Sequence, residues 1–197
     1  MKINEFITEE QISKIVYHGS NAKFPKFDQN KSRIVNDFYG GGVAYFTDNL
    51  EVAKTYARAM FRSRGGGEYV YKVELTLDKV FDVDHMFSKN ELTQFFSKEN
   101  VEDFARGAGL LKYGDDRYAV ISKLSLGNVT LTGDQVFKGL SKGMNHTAKA
   151  RQTLIKLGYD GLRHHGGVNM NMATKHNVYL AYDANDITIQ NVYKLKD

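Results

Sequence analysis

The chain has 197 residues, 42% of them apolar and 12% aromatic, with 27 basic and 23 acidic side chains giving a net charge of +4. A domain of that length buries roughly 70% of the surface its unfolded chain exposes, so a hydrophobic core needs no covalent staples. Cysteine is absent, which excludes disulfides and thiolate metal sites and fits a reducing, cytoplasmic setting. No apolar run approaches the roughly 18 residues that span a bilayer, and the first residues carry no signal-peptide pattern, so no membrane partner is expected. A pI of about 9.0 mildly favours polyanionic partners, but the opposite charges are interspersed rather than blocked.

Taken in chain order, Thr8-Glu9-Glu10-Gln11 reads as a capping box opening a short helix. Residues 15–18 read as a buried strand ending at Gly19-Ser20. Residues 21–42 lack periodicity and hold the only proline, Pro25, and the Gly40-Gly41-Gly42 run. Long loops of this kind inside a compact domain are usually functional or disordered, and the glycine run reads as a flexible hinge for a covering loop. Residues 43–47 form a second strand, and Asp48 reads as the N-cap of a helix with Leu50, Ala53, Tyr56, Ala57, Met60 and Phe61 on one face. Gly65-Gly66-Gly67 ends that helix, and alternation then predicts a strand from Tyr69 to Leu77.

From residue 88 to 157 the pattern turns helical, with segments over 91–96, 100–106, 118–124 and 146–157. Strands return over 159–162, 178–182 and 187–193. Strand-rich ends around a helical middle predict an α+β fold in one domain, 1–197, with a helical insertion at about 88–157.

His18 stands at a strand end beside a glycine, where backbone can approach a ligand closely. Tyr45 and Tyr56 flank the same long loop. An imidazole, two phenol rings and open backbone amides suit a flat aromatic amide attached to a ribose. Taken singly, a strand histidine is more often a satisfied structural residue, and strand tyrosines are common core members. His164, His165 and His176 do not make a metal site, because adjacent strand residues point to opposite faces. Those histidines and Arg163 would face an acceptor or the adenosine end of a ligand. Asp82, Asp84, Asp115 and Asp116 read as solvated acids, and Met170–Met172 as a loop near the acceptor.

Jointly, Tyr17-His18-Gly19-Ser20, the strand Val43-Ala44-Tyr45-Phe46-Thr47-Asp48 and the eleven-residue step from Tyr45 to Tyr56 resemble the histidine–tyrosine–glutamate class of ADP-ribosyltransferases. Phe27-Asp28, the strand after the tyrosine helix and the turn Gly158-Tyr159-Asp160-Gly161 resemble a phage- and mobile-element-associated, polyvalent-protein-like branch of that fold. The resemblance covers residues 15–84 and 157–190 and implies a split mixed β-sheet core. It implies NAD as co-substrate, with His18, Tyr45 and Tyr56 catalytic. His18 would hold the nicotinamide ribose, the Gly19 backbone the carboxamide, and Tyr45 and Tyr56 the ring. Ser20, Phe46, Ala53 and Val178 would complete the cofactor pocket, with Arg33 or Lys31 at the pyrophosphate.

The implied activity is mono-ADP-ribosyl transfer to a macromolecule, protein rather than nucleic acid. The alternatives are an NAD glycohydrolase toxin and a silent NAD- or ADP-ribose-binding adaptor. One position departs from the family pattern: aligned on Tyr182-Asp183, the late-strand glutamate is replaced by Val178, and no acid occurs from residue 162 to 180. The acceptor's own carboxylate, or Asp160 or Glu74, would have to substitute; otherwise the domain binds NAD without turning it over. The basic residues Lys138, Lys142, Lys149 and Arg151 in the helical middle are the candidate acceptor surface.

Overall fold

Alternation of apolar residues in Tyr69–Leu77 puts Tyr71, Val73, Leu75 and Leu77 on one face, and all four are fully buried. This strand, β3, pairs antiparallel along its whole length with β1 (Ile12–Ser20), from Ile12↔Leu77 to Ser20↔Tyr69. The computed structural model describes residues 12–28, 39–126, 129–142, 146–166 and 175–195. The capping box at residues 8–11 therefore lies outside the described residues, as do Lys31, Arg33 and Met170–Met172.

The other strands of the main sheet are β2 (Ala44–Thr47), β4 (Val80–Asp82), β7 (Gly161–Gly166), β8 (His176–Ala181) and β9 (Ile187–Lys194). Their order is β4-β7-β8-β2-β1-β3-β9, with β4–β7 parallel and the remaining pairs antiparallel. The two halves of this sheet, β4-β7-β8-β2 and β1-β3-β9, meet through one register pair, Tyr17↔Thr47. The sheet is thus mixed and nearly split at its centre, as the α+β reading implies.

Helix α1 (Leu50–Arg64) lies on β1, burying Val52, Ala53 and Ala57. Its N-cap is Asn49, whose side chain accepts from the Glu51 and Val52 amides, and not Asp48. Asp48 is occupied elsewhere: its two oxygens accept from the Asn177 amide (2.9 Å) and side chain (2.6 Å). Burial opposes ionisation there, but these bonds and the Lys14 ammonium outweigh it and hold the carboxyl below its ordinary range.

The middle of the chain carries α2 (Lys89–Leu92), α3 (Val101–Gly107), α4 (Arg117–Leu126), α5 (Gly133–Leu140) and α6 (Thr147–Lys156), with a two-stranded ribbon of β5 (Met86–Phe87) and β6 (Leu131–Thr132). Two cores result. One joins Phe81, Phe104, Phe137, Leu154, Leu162 and Leu180 beneath these helices; the other joins Val16, Phe46, Tyr71, Val73 and Tyr179. No helix among the described residues is long and apolar enough to cross a membrane.

The Gly40-Gly41-Gly42 run is packed rather than hinge-like. All three residues are buried, and a Cβ on Gly40 would lie 2.3 Å from the Thr147 carbonyl oxygen. Glycine is required there by close approach and by the positive φ of Gly40 and Gly41.

At the far end of the sheet, burial and then the charges of Asp160, Asp183 and Asp78 push the Asp186 carboxyl up from 3.8 to about 6. The folded state therefore binds a proton more readily than the unfolded chain, and stability falls as pH rises from about 4 to about 6. Asp186→Asn is expected to stabilise by on the order of 1 kcal/mol at pH 7–8, a figure reduced for partial exposure. Its thermal midpoint should exceed wild type there and coincide with it near pH 3.5. Equal midpoints at pH 8 would refute the acidic repulsion.

Candidate functional site

Beyond Tyr17↔Thr47 the two half-sheets no longer pair, and the next residue of β1, His18, reaches across the gap. Its Nδ1 lies 2.8 Å from the Tyr45 carbonyl oxygen. A carbonyl only accepts, so Nδ1 carries the hydrogen and, in the neutral ring, Nε2 keeps a lone pair. Burial lowers the imidazole pKa against the opposing effect of the Tyr45 bond, so the neutral form prevails.

An aromatic cage surrounds the ring. Phe27 stands edge-on at 5.3 Å, with Phe46 at 5.8 Å, Tyr71 at 6.1 Å and Phe24 at 6.3 Å. The Tyr71 hydroxyl accepts from the Phe24 amide at 2.6 Å, and the Phe24 ring stacks on Tyr71 at 4.3 Å. That pair folds the segment after β1 back over the sheet, where it becomes a wall. Together with α1 it bounds a cleft of about 850 Å³, lined by His18, Gly19, Ser20, Phe24, Phe27 and the side chains of Met60 and Arg64. Small-molecule sites fall in this size range and are mostly apolar with a few placed polar groups.

Of the residues expected from sequence, His18, Gly19 and Ser20 line this cleft. Tyr56 is half-buried on α1, and its Cβ is 3.0 Å from where a Cβ on Gly19 would sit. Met60 and Arg64 follow it at helical spacing, on the same side of α1. Phe46 and Ala53 are buried behind the lining, Phe46 in the cage and Ala53 with its carbonyl directly against Gly19.

Tyr45 touches His18 through its carbonyl, while its ring packs against the helix-covered core. Val178 pairs with Thr47 on one side and His164 on the other, so it shares a face of the sheet with Tyr45. No acidic residue occurs in β7 or β8. The two acids expected to substitute do not come to His18. Asp160 accepts from the Asp78 and Lys79 amides, beside the Leu77↔Ile12 end of the β1–β3 pair, whereas His18 pairs with Tyr71. Glu74 bonds Ser13 and Gln190.

The remaining polar groups are largely paired with one another. Asp82 binds Arg163, and Asp84 accepts from the His165 amide and ring, so these acids are not simply solvated. His164 lies against the Tyr39 ring at 4.9 Å. In the basic stretch, Lys138 is neutralised by Asp134 and Lys142 by Asp103. Sequence reasoning passed over Phe24, Lys26, Met60 and Arg64 as cleft residues. The four-residue step from Tyr56 to Met60 to Arg64 was the readable signal for the last two.

Comparison with known proteins bears on this geometry. No curated protein is matched by the chain. Among solved structures, the chain is similar to the M. tuberculosis MbcT–MbcA toxin–antitoxin complex at 13% identity and a TM-score of 0.45, over 94% of this chain and 86% of that one. It is similar to an anti-CRISPR protein at 13% identity and a TM-score of 0.37, over 93% and 96%. A family model, that of ADP-ribosyltransferases in polyvalent proteins, matches residues 12–189 and so runs through the helical middle, which the motifs do not reach. With nine-tenths of its length matched, the chain belongs to the family of ADP-ribosyltransferases found in polyvalent proteins.

Proposed function

We propose that the protein is an NAD-dependent mono-ADP-ribosyltransferase acting on a macromolecular acceptor. The observation that carries this reading is His18: a neutral imidazole, fixed by the Tyr45 carbonyl, on the lining of a cleft large enough for a nucleotide. Nε2 accepts a hydrogen bond from a hydroxyl of the nicotinamide ribose. Gly19 holds the carboxamide through its backbone, and Ser20 borders the same end. Tyr56 covers the ring from α1, with Tyr45, Phe46, Ala53 and Val178 completing the surroundings.

In the reaction the bond from ribose C1′ to the nicotinamide nitrogen breaks, and its electron pair neutralises the pyridinium. The acceptor nucleophile then bonds C1′ and gives up its proton. Positive charge develops on the ribose in between, which is where a carboxylate lowers the barrier. With Val178 at that position, an acceptor bringing its own carboxylate complements the site, which favours an acidic protein side chain over nucleic acid.

Incubation with labelled NAD and a cell lysate tests the reading: label should appear on protein. The lack of an acidic residue within β7 and β8 also supports a second reading, a domain that binds NAD or ADP-ribose without turnover. Measurable NAD binding with no transfer and no nicotinamide release would select it, and nicotinamide release without any acceptor would select a glycohydrolase. His18→Ala is expected to weaken NAD about tenfold by calorimetry, the loss of one well-placed hydrogen bond and its ring contacts. Unchanged affinity would remove His18 from the pocket.

A further inference from the structure

Two side chains bridge the seam between the half-sheets, one on each side of the backbone pair Tyr17↔Thr47. His18 is the first, through its bond to the Tyr45 carbonyl. On the other side, where β1 and β2 again stop pairing, Lys14 reaches out from β1. Its ammonium donates to the Tyr179 hydroxyl of β8 at 3.0 Å and lies 3.5 Å from the Asp48 carboxylate. Asp48 directly follows β2 and holds Asn177, the neighbour of Val178, by both its amide and its side chain. One lysine thus ties β1 to β2 and β8 at once. The Lys54–Glu51 and Lys138–Asp134 pairs, by contrast, join residues three or four apart on one helix.

Packing couples this tie to the cleft. Lys14, Val16 and His18 alternate onto one face of β1. Val16, Phe46 and Tyr179 share one core, and Phe46 stands opposite Tyr179 in the β2–β8 register. Phe46 is in turn 5.8 Å from the His18 ring. Tyr179 is only 2% exposed, and in so close-packed a core its ring cannot shift without displacing Phe46. The Tyr179 bond outweighs burial and raises the Lys14 pKa, so the ammonium stays charged at neutral pH.

We infer that Lys14, with Asp48 and Tyr179, is a latch that sets the width of the seam and thereby the placement of the His18 ring. Lys14 does not line the cleft, so it is a positioning residue. Two bridges on either side of a single backbone pair act as a lever. Releasing the Lys14 bridge lets the half-sheets pivot about Tyr17↔Thr47 and stretches the His18–Tyr45 bond. The effect on ligand rests on the reading of the cleft given above, but the latch itself is read on His18 with no ligand present.

NMR of the histidine ring N–H groups in the full chain tests the latch, with the His18 Nδ1–H signal identified by its loss in His18→Ala. Lys14→Met should move that signal upfield and speed its exchange with water about tenfold, the loss of one hydrogen bond from a charged donor. Lys14→Arg should restore most of the wild-type signal, and Tyr179→Phe should show the same change in smaller measure. Lys142→Met, which breaks the Asp103 pair in the helical middle, should leave the signal unmoved. By calorimetry, Lys14→Met should weaken NAD about fivefold in the wild-type background and not at all in His18→Ala, because a residue acting through His18 then has nothing to position. If Lys14→Met leaves the His18 signal and its exchange unchanged, or costs as much NAD affinity without His18 as with it, the latch is overturned. If the signal moves but wild type binds no NAD, the latch stands and the ligand reading falls.

Discussion

Gly19→Ala is expected to lower the melting temperature by about 6–12 °C with no ligand present. The added Cβ would sit 2.2 Å from the Ala53 carbonyl oxygen and 2.7 Å from the Ala57 amide nitrogen, both backbone atoms of α1. A side chain can rotate out of such a contact, but a helix backbone cannot. Gly19 does not have a positive φ, so the penalty is steric and not conformational. Overpacking of this kind costs about 3 kcal/mol at the upper end of its usual range. In a chain of this size each kcal/mol moves the midpoint by roughly 2–4 °C.

Gly65→Ala is the control. A Cβ there meets nothing within 4 Å, but φ +70° with ψ −165° is a conformation kept almost entirely to glycine, so a loss of about 1–3 kcal/mol from backbone strain alone is expected. The comparison also separates two accounts of the Tyr17-His18-Gly19-Ser20 motif. If Gly19 mattered only to a ligand, the alanine variant would melt with wild type in the absence of NAD. A shift under 2 °C would therefore remove the close crossing of α1 over β1 as the reason for glycine.

Where the sequence was legible, local physics and tertiary context agreed. Strand β3 runs from Tyr69 to Leu77 as alternation predicts, because one of its faces is fully buried. Helix α1 ends at the glycine turn for the same local reason. Other features depend on partners distant in sequence. Asp48 looks like an N-cap until Asn177, 129 residues away, takes both its oxygens and leaves the cap to Asn49.

Helix α5 escaped notice although Thr132 and Gln135 form a capping box, because Gly133 and Gly139 weaken its helical propensity. The structure supplies the reason for Gly139: a Cβ there would lie 2.6 Å from the Phe104 ring, where α3 and α5 cross. The cofactor-side motifs were readable because they are contiguous. The cleft itself was not, since its walls are joined where the Asn21 side chain donates to the Gly65 carbonyl and the Gly67 amide to the Asn21 carbonyl, and no spacing rule connects Asn21 to that turn.

Val178→Glu is expected to raise acceptor-independent nicotinamide release by about 10², since one well-placed group opposite developing charge is typically worth 10²–10³ in rate. Thr47 and His164 flank the position across the sheet, and Tyr45 is its diagonal neighbour on the same face. Gly166 makes room, because a Cβ there would meet Val178 Cγ2 at 2.7 Å and His176 Nε2 at 2.3 Å. His176, two residues earlier on the same face, can offer a ring N–H to a carboxylate, so the new acid need not stand as an unpaired charge. Val178→Gln controls for shape and should give no gain. Transfer to an acceptor that already brings a carboxylate should rise far less than release does, because the two carboxylates compete for one place beside the ribose. If the glutamate variant releases nicotinamide no faster than the glutamine variant while both still bind NAD, charge does not develop beside residue 178. The catalytic gap would then lie elsewhere along β8.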